Sequence, residues 1–452
     1  MAHTMTKDYL PCQLTSNNIQ NDSESKDATK VYKVYPRRFA ILAIFCLCSL
    51  SSGFQWIQYV IIQNIIVRYY NESLPDSFEA KNNAVTWTSL SYMVTYIPLM
   101  FPAMWLLDRY GLKITCSTGA FLNGVGAIIK CFSVARDRWW VAFSGQLVCA
   151  CAQSFTLGIP SYLAASWFDS RSVSTVTAIA VFGNQATFVC IACFVAMIIV
   201  FRRLPPTPPS KAQELALQNT EQNYGQTLKR LLINRWFLLL LFSYGLNTGT
   251  FYSISTLLNP IYMWYFDKKT AQASQYAGTI GMLLVIGGIF GSLLGGYILD
   301  KSKAYKKVTF GVYVLSCLSM VLFVSTISLH EYVAFVTMII VGFFMTGYLP
   351  VGFEYGVEIT YPENEAISSS LLNVSAQIFG LCITQLQEFL IFKQAKILES
   401  NIMLCVVLVV GAIITLLIRS PLRRQNAQHS THRVFETNNS FVVSNTNSTA
   451  TA

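Results

Sequence analysis

The sequence predicts an all-α protein that crosses a membrane many times, and three observations carry that prediction. Of the 452 residues, 53% are apolar and only 12% are charged, against roughly 25% charged residues in soluble domains. Mean hydropathy is +0.45. Apolar stretches close to the roughly 20 residues that a membrane helix needs recur along the chain. The polar first 30 residues lack the apolar core of a cleavable signal peptide, so the first stretch is expected to stay as a span.

Eleven apolar stretches are predicted to cross the lipid bilayer. They cover 39–62, 86–107, 114–134, 140–165, 173–201, 236–260, 276–299, 308–328, 333–353, 367–386 and 401–419. The sequence divides accordingly into a disordered tail (1–34), an incomplete N-terminal bundle (35–201), a linker (202–235), a C-terminal six-helix bundle (236–420) and a second disordered tail (421–452).

Basic residues indicate the orientation of these spans. Lys and Arg concentrate before the first span, after the last, and in 108–113, 202–235 and 300–307. The positive-inside rule places all of these segments, and both termini, in the cytoplasm. The Asn71-Glu72-Ser73 sequon is then expected on the extracellular side, where Asn71 is a glycosylation candidate.

The stretch 173–201 conflicts with that orientation. Five spans precede the basic linker, although an even number is required to return the chain to the cytoplasm. The stretch has 29 residues, too many for one ordinary span and too few for two with a loop. We expect the second half to keep its orientation, with 173–201 entering and returning without a proper crossing or lying as a strained buried helix, kinked near Gly183.

A repeat suggests a fold family. LLDRYGLK follows the second span, and YILDKSKAYKK follows the corresponding span of the second half, which indicates two parallel halves. These halves and the D-R-x-G-x-K turn resemble the major facilitator superfamily. More narrowly, FQWIQY (54–59), SYMVTYIPLMFPAMWLLDRYG (91–111), WFDSRSVST (167–175), FYSISTLLN (251–259) and VEITYPENEAISSSLLNVSAQIFG (357–380) resemble the feline leukaemia virus subgroup C receptor-related family. Its members have two full spans where this chain runs from GNQ (183–185) directly into ATFVCIACF, so about 11 spans are expected instead of 12.

The resemblance implies choline and ethanolamine as substrates, and haem export has also been proposed for the family. The positions that match its cation-site motifs are Trp56, Tyr92, Gln153, Tyr252 and Gln377. Aromatic faces attract quaternary ammonium groups through cation–π interaction, and an amide suits a hydroxyl on the same ligand. For each tyrosine taken singly, core packing is the alternative.

Further polar side chains are candidates for the transport pathway. On a continuous helix, Gln55, Trp56, Tyr59 and Gln63 share one arc of about 100°. Polar groups inside a membrane usually face the protein interior, which favours pathway lining over interfacial anchoring. Tyr96 lies one turn after Tyr92 on the same face.

Charged residues at the cytoplasmic rim are candidates for a gate. Asp108, Arg109, Asp300 and Lys301 are expected to pair charges between helices. Glu354, Glu358 and Glu365 are expected to form a gate or a loop salt bridge, with proton coupling as the alternative. Lys130, near the outer end of its span, is expected to snorkel.

The combined expectation is a facilitative plasma-membrane carrier of choline-like cations that works by alternating access. No nucleotide loop, metal cluster or catalytic triad is present in the sequence, so no cofactor, metal or enzymatic activity is predicted, and the basic loops do not indicate a nucleic-acid partner. Haem export is one alternative. A haem site with histidine ligands is disfavoured, because the four histidines lie outside the spans: His3, His330, His429 and His432. A transport-impaired receptor or regulatory isoform is the other.

Overall fold

Helices make up almost all of the computed structural model, which describes residues 35–169, 172–182, 224–266, 271–419 and 423–425. Within those ranges no strand occurs. The helices are α1 (Arg37–Ile57), α2 (Gln63–Tyr69), α3 (Phe78–Tyr110), α4 (Leu112–Cys131), α5 (Trp139–Gln153), α6 (Pro160–Trp167), α7 (Val173–Phe182), α8 (Tyr224–Ile233), α9 (Arg235–Tyr265), α10 (Ala271–Ser302), α11 (Tyr305–Thr326), α12 (Glu331–Thr360), α13 (Glu365–Glu388) and α14 (Ile397–Leu417), with a π-helical turn at Phe389–Lys393 after α13.

Nine helices in the described part of the chain are long and apolar enough, by length and composition, to cross a membrane. Two of the eleven expected stretches account for the difference. The expected span 140–165 is divided into α5 and α6, and the stretch 173–201 is described only as α7. The predicted kink near Gly183 lies outside the described residues.

The expected span 140–165 is not one continuous helix, because Pro160 interrupts it. Proline lacks an N–H and its ring clashes with the carbonyl four residues earlier, so it favours the first turn of a new helix. Here Pro160 opens α6, after a series of tight turns in which the amides of Thr156 and Leu157 both donate to the Gln153 carbonyl at 3.0 Å. The fourth span is therefore a broken helix with Gln153 at the break.

A second break ends α1 at Ile57, and α2 begins only at Gln63. The Gln146 side chain on α5 donates to the backbone carbonyl of Gln55 at 2.7 Å and to that of Trp56 at 3.3 Å. The last carbonyls of a helix lack partners within it, so this amide stabilises the end of α1. The prediction of a continuous helix over 55–63 is therefore wrong.

Helices α10 and α12 approach each other so closely that their backbones touch. Gly287 and Gly291, four residues apart on α10, face α12, where a Cβ on either would overlap the carbonyl oxygens of Ile339 and Phe343. Gly342 on α12 is equally close to the Leu284 carbonyl. Small residues at this spacing let membrane helices pack backbone to backbone.

The first half (α1–α7) and the second half (α9–α14) meet along two sets of helices. Helix α3 packs against α13, and α7 packs against α10 and α12. Between the halves, α8 is joined to the second half by an ion pair between Arg230 Nε and Glu363 Oε1 at 3.0 Å. The remainder of the predicted linker and both predicted tails lie outside the described residues, except 423–425. The end of the molecule that carries the turns 108–113 and 300–307 is called the basic end below.

Candidate substrate site

A central cavity lies where the two halves meet, and all five predicted cation-site residues border it. Its empty space is about 1090 Å³ including its opening. Trp56 comes from the last turn of α1, Tyr92 from α3, Gln153 from the break after α5, Tyr252 from α9 and Gln377 from α13. Both halves therefore contribute to one site, as in carriers that bind substrate between repeats.

The aromatic part of the site is the pair Trp56 and Tyr252. Their ring centroids are 5.0 Å apart with the planes inclined by 75°, an edge-to-face arrangement. Trp56 is half-buried, and its Nε1 has no hydrogen-bond partner among the described residues. Because one ring is on each half, a cation that contacts both rings contacts both halves at once.

The amide part of the site is built on the helix break. Gln153 is 4% exposed, and its Oε1 has no hydrogen-bond partner in the described part of the chain. Leaving such an acceptor buried and unsatisfied costs about 1–3 kcal/mol. Gln377, 3% exposed, borders the same cavity from α13. The Gln153 oxygen can therefore accept a hydrogen bond from a ligand hydroxyl or ammonium group.

Sequence reasoning missed other polar residues of this cavity. Asn373 stands one turn before Gln377 on α13, a spacing that places both on one face, and its Nδ2 donates to the Leu157 carbonyl at 3.2 Å. Tyr244 also borders the cavity and stacks on Phe353 at 5.5 Å. The one-turn spacing could have identified Asn373, but Tyr244 offered no comparable signal.

Of the four residues predicted to share an arc on α1, only Trp56 borders the central cavity. Gln55 accepts from Lys130 Nζ at 2.6 Å, and the same ammonium lies 5.6 Å from the Tyr59 ring centroid. Gln63, beyond the break, donates to the carbonyl of Asn82 at 3.1 Å. The arc does not exist because α1 ends at Ile57.

Lys130 does not snorkel outward as expected. Its ammonium also donates to Gln146 Oε1, so two amide oxygens inside the first half accept from it. Tyr96 is fully buried in the core and does not border the central cavity, although Tyr92 one turn earlier does.

Asp300 caps helix α7, and it also forms an ion pair with a charged side chain. Its carboxylate accepts from the backbone amides of Ser174 at 3.1 Å and Thr175 at 2.7 Å, and from Thr175 Oγ1 at 2.6 Å. These are the second and third residues of α7, whose amides an N-cap side chain normally satisfies. Lys303 also pairs with Asp300 at 3.5 Å. Lys301 is exposed at the end of α10, and Asp108 and Arg109 are exposed at the end of α3.

Three predicted gate carboxylates meet around one arginine at the basic end. Arg424 Nη1 lies 3.4 Å from Glu354 Oε2, and its Nη2 lies 3.9 Å from Glu365 Oε1. Glu354 also accepts from Thr177 on α7 at 2.7 Å. Glu358 accepts from the backbone amide of Gln425 at 3.0 Å.

All three carboxylates are at most 7% exposed, and Arg424 is 7% exposed. Sequence reasoning placed Arg424 in a disordered tail, and only the fold brings it to these glutamates. Among the described residues no group of His, Cys, Asp and Glu side chains could hold a metal ion.

Two helical halves around a shared central cavity define a carrier of the major facilitator type. A model of the Major Facilitator Superfamily matches residues 41–191 and 176–384. Crystal structures of the E. coli fucose:proton symporter FucP, one in an outward conformation, align with a TM-score of 0.58 at 14% identity, over 84% of this chain and 99% of theirs. This similarity shows the fold.

Curated relatives narrow the family. The zebrafish (Danio rerio) choline/ethanolamine transporter flvcr2a is 42% identical over 93% of this chain and 95% of its own length. Homo sapiens FLVCR2 is 40% identical over 90% of this chain and 82% of its own length. Felis catus FLVCR1 is 43% identical over 86% of this chain and 74% of its own length. The chain belongs to the major facilitator superfamily and, within it, to the feline leukaemia virus subgroup C receptor-related family. It is a membrane transporter and not an enzyme.

The lengths of these alignments indicate that the relatives carry additional residues. The zebrafish alignment has 460 positions but covers 93% of this chain, about 420 residues, so about 40 positions are gaps on this side. About 40 residues correspond to one span with a loop. The superfamily model matches in two ranges that overlap at residues 176–191, the region where the sequence departs from the family.

Proposed function

We propose that this protein is a facilitative carrier of choline- and ethanolamine-like organic cations. The observation that carries the proposal is a single cavity that combines the Trp56–Tyr252 ring pair with the unsatisfied Gln153 oxygen. A quaternary ammonium cannot donate hydrogen bonds, so ring faces are its natural hosts. A hydroxyl or a primary ammonium can donate to the Gln153 oxygen. The relatives named as choline/ethanolamine transporters support the same substrate class.

Contacts between the halves on both sides of the cavity support alternating access. Toward the end opposite the basic end, Asn259 Nδ2 donates to the Ile61 carbonyl at 2.9 Å, and the hydroxyls of Ser89 and Thr256 lie 3.0 Å apart. At the basic end, Asp300 and Glu354 bind α7. Opening one set while the other stays closed exposes the cavity to one side at a time.

Transport assays test this function. Radiolabelled choline uptake and efflux should rise when the full chain is expressed in cells that lack their own choline carriers, and excess unlabelled ethanolamine should compete. Haem export is the second candidate for the same cavity, and it is measured in the same cells. Movement of haem without movement of choline overturns the proposal. Surface-localised protein that moves neither supports the receptor or regulatory alternative.

Replacing Gln153 with alanine should weaken choline binding more than tetramethylammonium binding. Choline can donate its hydroxyl to the Gln153 oxygen, whereas tetramethylammonium has no donor. A hydrogen bond of this kind contributes about 0.5–1.5 kcal/mol, so a roughly 2- to 10-fold rise in the choline Kd is expected. Equilibrium binding to purified protein measures both ligands, and an equal loss for both contradicts a role in hydroxyl recognition.

The orientation of the second half is part of the proposal. With the basic end in the cytoplasm of a plasma-membrane protein, both termini are cytoplasmic and Asn71 is extracellular. Asn71 is exposed between α2 and α3, so glycosylation is sterically possible. A small epitope tag at residue 215 should stain only after permeabilisation of intact cells. Staining without permeabilisation would place the linker outside and invert the second half.

A further inference from the structure

A second cavity lies away from the central one, at the end of the molecule opposite the basic end. It is bordered by the first turns of α3, the last turns of α13 and the π-helical turn. Its empty space is about 910 Å³ including its opening to solvent. Residues of both halves border it, and π-helical turns occur frequently at functional sites. None of the predicted site residues borders it.

Glu388, the last residue of α13, borders this peripheral cavity with an unsatisfied carboxylate oxygen. The side chain is 4% exposed. Its Oε1 accepts from Asn83 Nδ2 of α3 at 3.3 Å. The Thr86 hydroxyl also lies beside the carboxylate but donates to the Asn82 carbonyl at 3.1 Å, and Oε2 makes no direct hydrogen bond among the described residues. A buried carboxylate requires partners to offset its lost hydration. This oxygen therefore favours a cation or a hydrogen-bond donor in the cavity.

The lysine beside this cavity is engaged by other groups. Lys393 Nζ pairs with Glu79 Oε1 at 3.6 Å and lies 5.8 Å from the centroid of the Phe389 ring. Two carboxylates and one ammonium thus border the peripheral cavity. Because Lys393 pairs with the exposed Glu79, the buried Glu388 gives the peripheral cavity an excess of negative charge.

The other groups that border the peripheral cavity suit an organic ammonium ion that carries a hydroxyl. Phe389 and Phe392 supply aromatic rings, which attract such cations. Gln385, one turn before Phe389, has an amide nitrogen without a hydrogen-bond partner in the described ranges. That nitrogen can donate to the hydroxyl oxygen of the ligand while the Glu388 carboxylate faces the positive charge of its ammonium group.

The same two helices connect the peripheral cavity with the central one. On α3, Asn83 precedes Tyr92 by nine residues, and on α13 Gln377 precedes Glu388 by eleven. At 1.5 Å of rise per residue these separations are roughly 14 and 17 Å. The hydrogen bond from Asn83 to Glu388 joins the two halves, so this site lies where the halves must part for the central cavity to open at this end.

We propose that Glu388, with Gln385, Phe389 and Phe392, forms a second, peripheral binding site for the hydroxylated ammonium substrate on its way to the central cavity. The ligand class rests on the proposed function. The carboxylate attracts the cation from solution, and Oε2 is available to it while Oε1 keeps its hydrogen bond to Asn83.

Equilibrium binding separates the two sites. Purified full-length Trp56→Ala protein, whose central site is weakened, should bind radiolabelled choline weakly at both sites, and adding Glu388→Gln should remove the peripheral component of that binding. Glu399→Gln is the matched control, because Glu399 is an exposed carboxylate on α14 at the same end and does not border the cavity. The peripheral site is overturned if Glu399→Gln removes as much binding as Glu388→Gln does, or if Glu388→Gln leaves the binding unchanged.

Transport kinetics give a second readout. Glu388→Gln alone should raise the KM for choline roughly 5-fold and leave kcat nearly unchanged, because attraction by a charge acts on the encounter with the substrate. The dependence of KM on ionic strength should also fall, because salt screens that attraction. Glu388→Asp, which keeps the carboxylate, should have a KM and an ionic-strength dependence close to those of the wild type. A fall in folded protein or kcat at constant KM indicates a structural role and overturns the proposal. If wild-type protein moves no choline while Glu388-dependent binding persists, the proposed function fails and the peripheral site stands.

Discussion

Replacing Trp56 with alanine should cause the largest loss of substrate affinity of any single change in the central cavity. The indole is the strongest aromatic host for a cation, and its contribution is about 1–2 kcal/mol in a partly desolvated site, a roughly 5- to 30-fold increase in the Kd for choline. The change also removes the edge-to-face partner of Tyr252, 5.0 Å away. Binding of choline to purified protein and the KM of uptake measure the effect.

Two variants control this experiment. Trp56→Phe keeps an aromatic face and should lose less than half of the binding free energy that alanine loses. Trp105→Ala removes an indole from α3 that is 49% exposed and does not border the cavity, so choline affinity should stay within twofold of the wild type. A Trp56→Ala protein that is folded and binds choline as tightly as the Trp105→Ala protein contradicts the proposed cation site.

Replacing Gly291 with alanine should cause the largest loss of stability. A Cβ there overlaps the Phe343 carbonyl of α12, a backbone atom that can move only if the two helices separate. Overpacking typically costs 1–3 kcal/mol, and we expect a value near 3 kcal/mol because a whole helix pair must shift. Thermal unfolding of detergent-purified protein, with the yield of monodisperse protein, measures the effect.

The matched control is Gly311→Ala on α11. A Cβ at Gly311 meets no atom within 4 Å, and alanine has a helix propensity about 1 kcal/mol more favourable than glycine. The Gly311→Ala protein should therefore unfold at the wild-type temperature or slightly above it. Equal melting temperatures for the two variants would show that α10 and α12 have room to move apart.

Composition was sufficient to predict nine of the long apolar helices, whereas the five proposed cation-site residues came from a family resemblance. The apolar stretches follow from the length that a bilayer imposes, and Trp56, Tyr92, Gln153, Tyr252 and Gln377 were identified from family motifs. Their convergence on one cavity depends on how α1, α3, α5, α9 and α13 pack. That packing is not a property of any one stretch of sequence.

The errors in the sequence-based expectations have local and non-local causes. Pro160 was a visible signal for the break in the fourth span, but the apolar composition of 140–165 concealed it. The arc through Gln55 and Gln63 required a continuous α1, whereas Gln146, about 90 residues later, stabilises the end of that helix. Arg424 lies in a polar tail, and its position among Glu354 and Glu365 depends on contacts 59 to 70 residues away in the chain.

The cap that Asp300 provides to α7 couples movement of the basic end to hydration. When α10 withdraws from α7, the amides of Ser174 and Thr175 lose their acceptor, and only water entering the widening gap can replace it. A side-chain cap contributes about 0.5–2 kcal/mol, so this bond is cheap to break in solvent but costly to break in a dry interface. Separation of the two helices should therefore proceed together with the entry of water rather than ahead of it, and reclosure should require that water to leave.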